Sequence, residues 1–293
     1  MSGTPPAEVH IDASLVRGLL DDQYPDLADL PLNAIDAGWD NQMFRLGDRL
    51  AVRLPRRALA AALVIHEQDW LPDLGPRLPI PTPVPLRVGA PGRGYPWRWS
   101  VLPWFEAATA HEAPLNRDQA DRLADFLIAL HTEAPTGAPI NPFRGEPLIR
   151  RAPDVEARLG RLSRATHLIT PQVLRAWRAG LATPASISPK WIHGDLHARN
   201  ILVREGAICA VIDWGDMTSG DVATDLSVAW HLFDPAPTRA AFLARYGATQ
   251  AQIARAMAWA VRIGATLLET GLVDHPAHAA MGEAVLRRVS ADG

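Results

Sequence analysis

W-I-H-G-D-L-H-A-R-N-I-L-V, residues 191–203, sets two histidines, an aspartate, an arginine and an asparagine between apolar flanks. Two readings compete for this density of polar groups: a metal-hydrolase cluster built on His193, Asp195 and His197, or a catalytic loop that handles a phosphoryl group. The residues that follow bear on the choice. I-L-V, R-E-G and A-I-C-A-V-I predict an antiparallel hairpin with a short turn at Arg204 to Gly206. If Val203 lies near Ala207, Asn200 falls roughly opposite Ala210 to Ile212, at the open end where Asp213 emerges. With Asp195 five positions before Asn200, three oxygen-bearing side chains then face one site. Carboxylate and amide oxygens without a thiolate suit a hard cation such as Mg2+, which keeps several waters and is usually shared with substrate phosphates. A carboxylate left off the metal can orient an attacking hydroxyl and accept its proton, and Asp195 has the position for that work.

The bulk numbers narrow the setting. At 293 residues with 48% apolar composition the chain exceeds one comfortable core, so two lobes are expected. A formal net charge of -3 argues against a dedicated nucleic-acid or anionic-membrane binder. Cys209 is the single cysteine, which excludes an intrachain disulfide and a thiolate zinc cluster; its place in A-I-C-A-V-I predicts a buried core residue. The N-terminus has no basic region followed by an apolar core, and no apolar run reads as membrane-spanning, so a soluble cytoplasmic protein is expected.

Working outward, the segments before the loop read as sheet and those around it as helix. A first helix is predicted over Ile11 to Leu20, short strands over Leu32 to Leu54, and a helix over Leu59 to Leu71 that Pro72 helps to end. L-P-I-P-T-P-V-P-L-R-V, from Leu78, must be extended, because proline lacks an amide donor and restricts its predecessor. Trp97, Trp99, Val101 and Pro103 then alternate along one face of a strand. From Asn116 the period changes: Ala120, Leu123, Leu127 and Leu130 form a helical stripe. Thr170 and Pro171 begin a helix carrying Val173, Leu174, Trp177 and Leu181. A further helix starts at Thr249, runs through Ile253, Met257 and Val261, and can stop at Gly271. Most of the ten tryptophans fall at apolar positions, where core packing is the default.

H-G-D-L-H-A-R-N followed by V-I-D-W-G-D resembles the catalytic loop and metal-binding segment of the aminoglycoside phosphotransferase family, and the likeness extends over most of the chain. It implies an α+β, bilobal protein-kinase-like fold: a small N-terminal antiparallel sheet lobe with a helix (1–104, ending in the hinge strand) and a larger, mainly helical C-terminal lobe (105–293). It also implies roles: Asp195 as catalytic base, Asn200 and Asp213 as magnesium ligands, His193 and Asp225 as supports of the catalytic loop. Trp214 stands where kinases place the packing aromatic of D-F-G. A-V-R-L-P-R-R resembles the family's third strand, with Arg53 where many kinases have a phosphate-binding lysine; arginine's planar fork can serve phosphate oxygens. Glu67 would be its ion-pair partner. A-G-W-D-N, with Gly38 and Asn41, would turn over the nucleotide phosphates, although it matches neither G-x-G-x-x-G nor a Walker A motif. The hinge residues Leu102 and Trp104 would flank the purine.

Asp216 has two readings, an aid to metal or substrate and a cap of the next segment. His197 and Arg199 have no assigned role, and Arg199 stands where the family more often has glycine. The implied activity is transfer of a phosphoryl group from ATP or GTP, with Mg2+, to a hydroxyl of a small molecule, with aminoglycoside and macrolide antibiotics among the acceptors. Asp234, Glu269, Asp274 and Glu283 would suit a pocket for a cationic acceptor. Two alternatives stand beside this: the H-x-D-x-H hydrolase, for which no second zinc signature occurs, and a nucleotide-binding protein of kinase-like fold without catalysis. No nucleic-acid or membrane partner is expected, and the oligomeric state is not readable.

Overall fold

The computed structural model describes residues 6–35, 40–185 and 188–293. Two compact units divide the chain: residues 2–106 with 210–215, and residues 107–209 with 216–293.

The first unit is a five-stranded antiparallel sheet with helices. Its elements are α1 (Ala13–Gln23), β1 (Leu32–Ala34), β2 (Asn41–Leu46), β3 (Leu50–Pro55), α2 (Ala58–Leu74), β4 (Arg87–Gly89) and β5 (Trp99–Pro103), with strand order β1-β2-β3-β5-β4. Asp12 caps α1 by accepting from the Leu15 amide at 2.8 Å. Alternation along the strands gives the sheet two buried faces. Phe44, Leu46, Val52, Leu54, Trp99 and Val101 pack with Val16, Leu19 and Leu20 of α1. Arg53 and Ser100, on the opposite face, meet α2: Gln68 Nε2 donates to Ser100 Oγ at 2.9 Å and to the Trp99 carbonyl at 3.0 Å. The sheet thus carries two helices where the sequence predicted one beside it. Pro72 does not end α2, which continues through its last turn to Leu74. Residues 78–86 contain neither helix nor strand, as their prolines require.

The second unit contains β6 (Ala108–Thr109), α3 (Gln119–Leu130), α4 (Ala152–Ala165), α5 (Pro171–Ala182), β7 (Lys190–Ile192), β8 (Ile201–Arg204), β9 (Ala207–Val211), β10 (Thr218–Gly220), α6 (Ala223–Leu226), α7 (Val228–Leu232), α8 (Ala236–Tyr246), α9 (Gln250–Asp274) and α10 (Pro276–Asp292). Strand β9 starts here, and its end packs with the first unit, where the Val211 amide donates to the Pro81 carbonyl at 3.0 Å. Glu205 and Gly206, at φ 52° and 78°, turn the β8–β9 hairpin. This two-residue turn is one shorter than the sequence suggested, and positive φ at both positions is what such a turn requires. Cys209 is half-buried rather than a core residue: Ile208 and Ala210 take the inner face of β9, and alternation puts Cys209 on the other.

The caps of α5 and α9 are local. Thr170 accepts from the Val173 amide at 3.2 Å, and Thr249 forms a reciprocal box with Gln252. Helix α9 does not stop at Gly271. A Cβ there would lie 2.0 Å from the Ala279 nitrogen, so the glycine admits the backbone of α10 instead of ending the helix. Residues 250–273 also have the length and mean hydropathy (1.2) to cross a membrane, contrary to the sequence reading. Ala256, Trp259, Val261 and Ala265 of that helix are buried, and α5 and α10 pack on it, as on the core helix of a globular unit.

Candidate active site

The loop between β7 and β8 is fixed from below by one carboxylate. Asp225, fully buried on α6, accepts from the His193 amide at 2.7 Å and the Gly194 amide at 2.9 Å. His131 at the end of α3 lies 3.2 Å from the same carboxylate through Nε2 and 2.8 Å from the Tyr246 hydroxyl through Nδ1. Gly194 has φ 86°, and a Cβ would sit 2.5 Å from the Asp216 carbonyl oxygen, so only glycine makes this bend. The bend turns the chain so that Asp195 leaves the braced segment.

Three groups hold Asp195. Arg144 Nη2 lies 2.7 Å from Oδ1, His197 Nε2 lies 3.4 Å from Oδ2, and Asn200 Nδ2 donates to the Asp195 carbonyl at 2.8 Å. Burial works to raise the Asp195 pKa, but the charges of Arg144 and His197 overcome it and hold the carboxyl well below its usual range. Asp195 is therefore a carboxylate across the neutral range. Arg144 also reaches Asp216 at 3.2 Å, and Asp216 accepts from Asn141 Nδ2 at 2.6 Å, so Asp216 belongs to a network around Asp195.

The two histidines of H-x-D-x-H serve other ends. His193 is fully buried and its Nδ1 accepts from the Asp195 amide at 3.3 Å; His197 faces Asp195. No three His, Cys, Asp or Glu side chains form a metal-holding group among the described residues, which removes the geometric basis of the hydrolase reading. Arg199 lies on the outer side of the loop, with Nη1 2.8 Å from Nε2 of His278, which stacks on His275 with ring centroids 3.9 Å apart.

In the first unit, Arg53 on β3 and Glu67 on α2 form a buried ion pair at 2.6 Å. Burial pushes Glu67 up to about 7; the Arg53 charge opposes this and the Asp213 charge adds to it, which places Asp213 close to the pair. Asp213 has φ 63°, an uncommon conformation for a residue with a side chain and one found repeatedly at functional sites. Trp214 beside it is fully buried and donates through Nε1 to the Val211 carbonyl at 2.9 Å, anchoring the turn. Asn41 opens β2 opposite Pro55, and its buried Oδ1 has no partner among the described residues. Gly38 lies outside the described residues. Leu102 is a buried residue of β5 opposite Ala51, and Trp104, just beyond the strand, donates through its amide to the Arg49 carbonyl at 2.8 Å.

Sequence reasoning missed Arg144, Asn141, His131 and His231. The first two lie about 50 residues before Asp195 in a segment without periodicity, and nothing local marks them. His231, buried on α7, has no hydrogen-bond partner for either ring nitrogen among the described residues, and burial drives its pKa down to about 3. It feels the charges of His197 and Asp195, so a neutral imidazole backs the loop.

The sheet unit, the helical unit and the braced aspartate loop define a protein of the kinase-like fold built for phosphoryl transfer. The chain belongs to the phosphotransferase enzyme family, whose model matches residues 31–259. Among solved structures it is similar to aminoglycoside 2'-phosphotransferase-IIIa in its GDP complex, with a TM-score of 0.68 and 16% identity over 96% of this chain and 99% of that one. Macrolide 2'-phosphotransferase type I gives a TM-score of 0.59 and 22% identity over 96% and 99%. The macrolide 2'-phosphotransferase MphH from Brachybacterium faecium gives 0.59 and 20% over 94% and 97%. At these identities the likeness is one of fold. No curated protein sequence matches the chain.

Proposed function

We propose that the protein is a small-molecule O-phosphotransferase that moves the γ-phosphoryl group of ATP or GTP onto an acceptor hydroxyl, with Asp195 as the base. The observation that carries this reading is the ionised Asp195 on a loop fixed through two backbone amides by buried Asp225. The acceptor oxygen attacks the γ-phosphorus, its proton passes to the Asp195 carboxylate, and the bond to the nucleoside diphosphate breaks. Most of the acceleration then comes from position and electrostatics, for which a rigid loop is the requirement.

The donor set suits magnesium. Asn200 engages its NH2 on the Asp195 carbonyl, which leaves the amide oxygen as its metal-binding atom, and Asp213 supplies a carboxylate. These are hard oxygen ligands, the type Mg2+ takes together with water and phosphate oxygens. The ion would neutralise charge on the transferred phosphoryl group. Arg53, oriented by Glu67, would grip phosphate oxygens with its fork. In this reading Asn41, Leu102 and Trp104 belong to the nucleotide-binding side.

The test is Asp195→Ala. The expected result is a fall in nucleoside diphosphate release with acceptor of roughly 100- to 10,000-fold, the range a general base supplies. Nucleotide affinity, measured by calorimetry, should stay within about threefold, less than 1 kcal/mol. A variant that keeps full turnover would sink the assignment.

A further inference from the structure

The late acidic residues that suited a pocket for a cationic acceptor are occupied by arginines. Glu269 pairs with Arg158 at 2.8 Å and Arg161 at 2.7 Å, Asp234 lies 3.7 Å from Arg239 and 3.8 Å from Arg288, and Glu283 pairs with Arg287 along α10. The side chain of Asp274 lies outside the described residues. Beside Asp195 in the helical unit lie Arg144, which also pairs with Asp216, and His197.

Arg144 sits on Asp195 and Asp216. Next to it in the chain, the Phe143 carbonyl accepts from Arg262 Nη2 at 3.1 Å, so Arg262 of α9 adjoins the same loop. Arg262 lies over the Trp259 ring, 4.8 Å from its centroid, and is half-buried. No carboxylate is within ion-pair distance of it among the described residues. Burial, then the charges of Arg144, Arg151 and Arg158, push its pKa down to about 9, and Glu146 works in the other direction. Glu146 is itself engaged by Arg151. The cationic form of Arg262 is thus held at a cost that an arriving anion would offset, and an arriving ammonium would raise.

We propose that the acceptor is an anion: a hydroxylated small molecule whose carboxylate or phosphate group is bound by Arg262, with Arg144 beside it, while Asp195 meets its hydroxyl. This rests on the phosphotransferase reading and narrows its acceptor class. Arginine's planar fork binds either oxyanion in a bidentate way. Polycationic amino sugars are disfavoured beside Arg262, because an ammonium group there would meet a guanidinium with no carboxylate paired to it among the described residues.

The test compares four molecules on one scaffold: glucose, glucuronate, glucose 6-phosphate and glucosamine. Binding to the full-length protein is measured by calorimetry with a non-hydrolysable ATP analogue present, so that sugar phosphate does not enter the nucleotide site. Glucuronate or glucose 6-phosphate should bind about tenfold or more tighter than glucose, and glucosamine weaker than glucose; which anion leads separates carboxylate from phosphate. Arg262→Gln should abolish the preference, Arg262→Lys should keep part of it, and Arg287→Gln, outside the cluster, should keep all of it. Anionic sugars that bind no better than glucose, tighter binding of glucosamine, or a preference that survives Arg262→Gln would each overturn the proposal. Binding needs no turnover, so this outcome is independent of the Asp195 test: absence of transfer with an intact anion preference would count against the transfer reading alone.

Discussion

Asp225 shows how one buried residue sets the geometry of another. Its carboxylate receives two backbone amides of the catalytic loop and contacts His131. Replacing it with alanine strands those donors in a dry interior, and hydrogen bonds to a charged group contribute about 1.5–3 kcal/mol each. Asp225→Ala is therefore expected to lower stability to urea by roughly 3 kcal/mol or more, and a loss under about 1 kcal/mol would show that the brace is dispensable. His278 supports a second prediction at this scale. Burial, then the charges of His275 and Arg199, lower its pKa to about 4 from an unfolded value near 6.5. The folded state then binds fewer protons between these values, so the contribution of His278 to stability is whole above 6.5 and is lost as the pH falls toward 4. His278→Gln should flatten the decline in stability over that window, as read from urea midpoints at several pH values. Asp195, Asn200 and Asp213 stand out in the sequence because the loop and the D-W-G segment carry them at short spacings, whereas Asp225 was implied by the family resemblance. Arg144 and Arg262 were not legible in the sequence, since Arg144 reaches the loop, and Arg262 the Phe143 carbonyl next to Arg144, only through tertiary packing.

At the scale of elements, the caps and apolar stripes were readable because they act within a few residues. Thr249 with Gln252, Thr170 with Pro171, and the Ala120 to Leu130 stripe all appear where the sequence put them. The errors arose where a neighbouring element decided the outcome. Gly271 has the chemistry of a helix stop, yet it lies inside α9 because α10 passes against it. Gly282 on α10 makes the reciprocal approach: a Cβ there would lie 2.4 Å from the Leu268 nitrogen. Helix propensity alone favours Gly282→Ala by up to about 1 kcal/mol, whereas overpacking against backbone costs about 1–3 kcal/mol or more. The steric cost outweighs the gain in propensity, so Gly282→Ala should lower the midpoint of thermal unfolding; an increase would mean that the helices separate freely.

At the scale of the molecule, the proposed magnesium ligands come from different units: Asn200 belongs to the helical one and Asp213 to the segment that packs with the sheet. Asn200→Ala and Asp213→Ala are each expected to reduce the magnesium-dependent part of nucleotide affinity. Calorimetric titrations of nucleotide with and without Mg2+ check this, and a variant that keeps the full magnesium dependence would refute the assignment of its residue. By itself the sequence determined the fold class, the family and the order of the chemical groups, because periodicity, turn residues and a tightly spaced motif are local properties of the chain. Only the tertiary structure decided what surrounds those groups. Arg144 meets Asp195 from 51 residues away, and Arg262 of α9 donates to the carbonyl of Phe143, the residue before Arg144. The charge around the proposed base is therefore set by packing between distant segments, which no local pattern records.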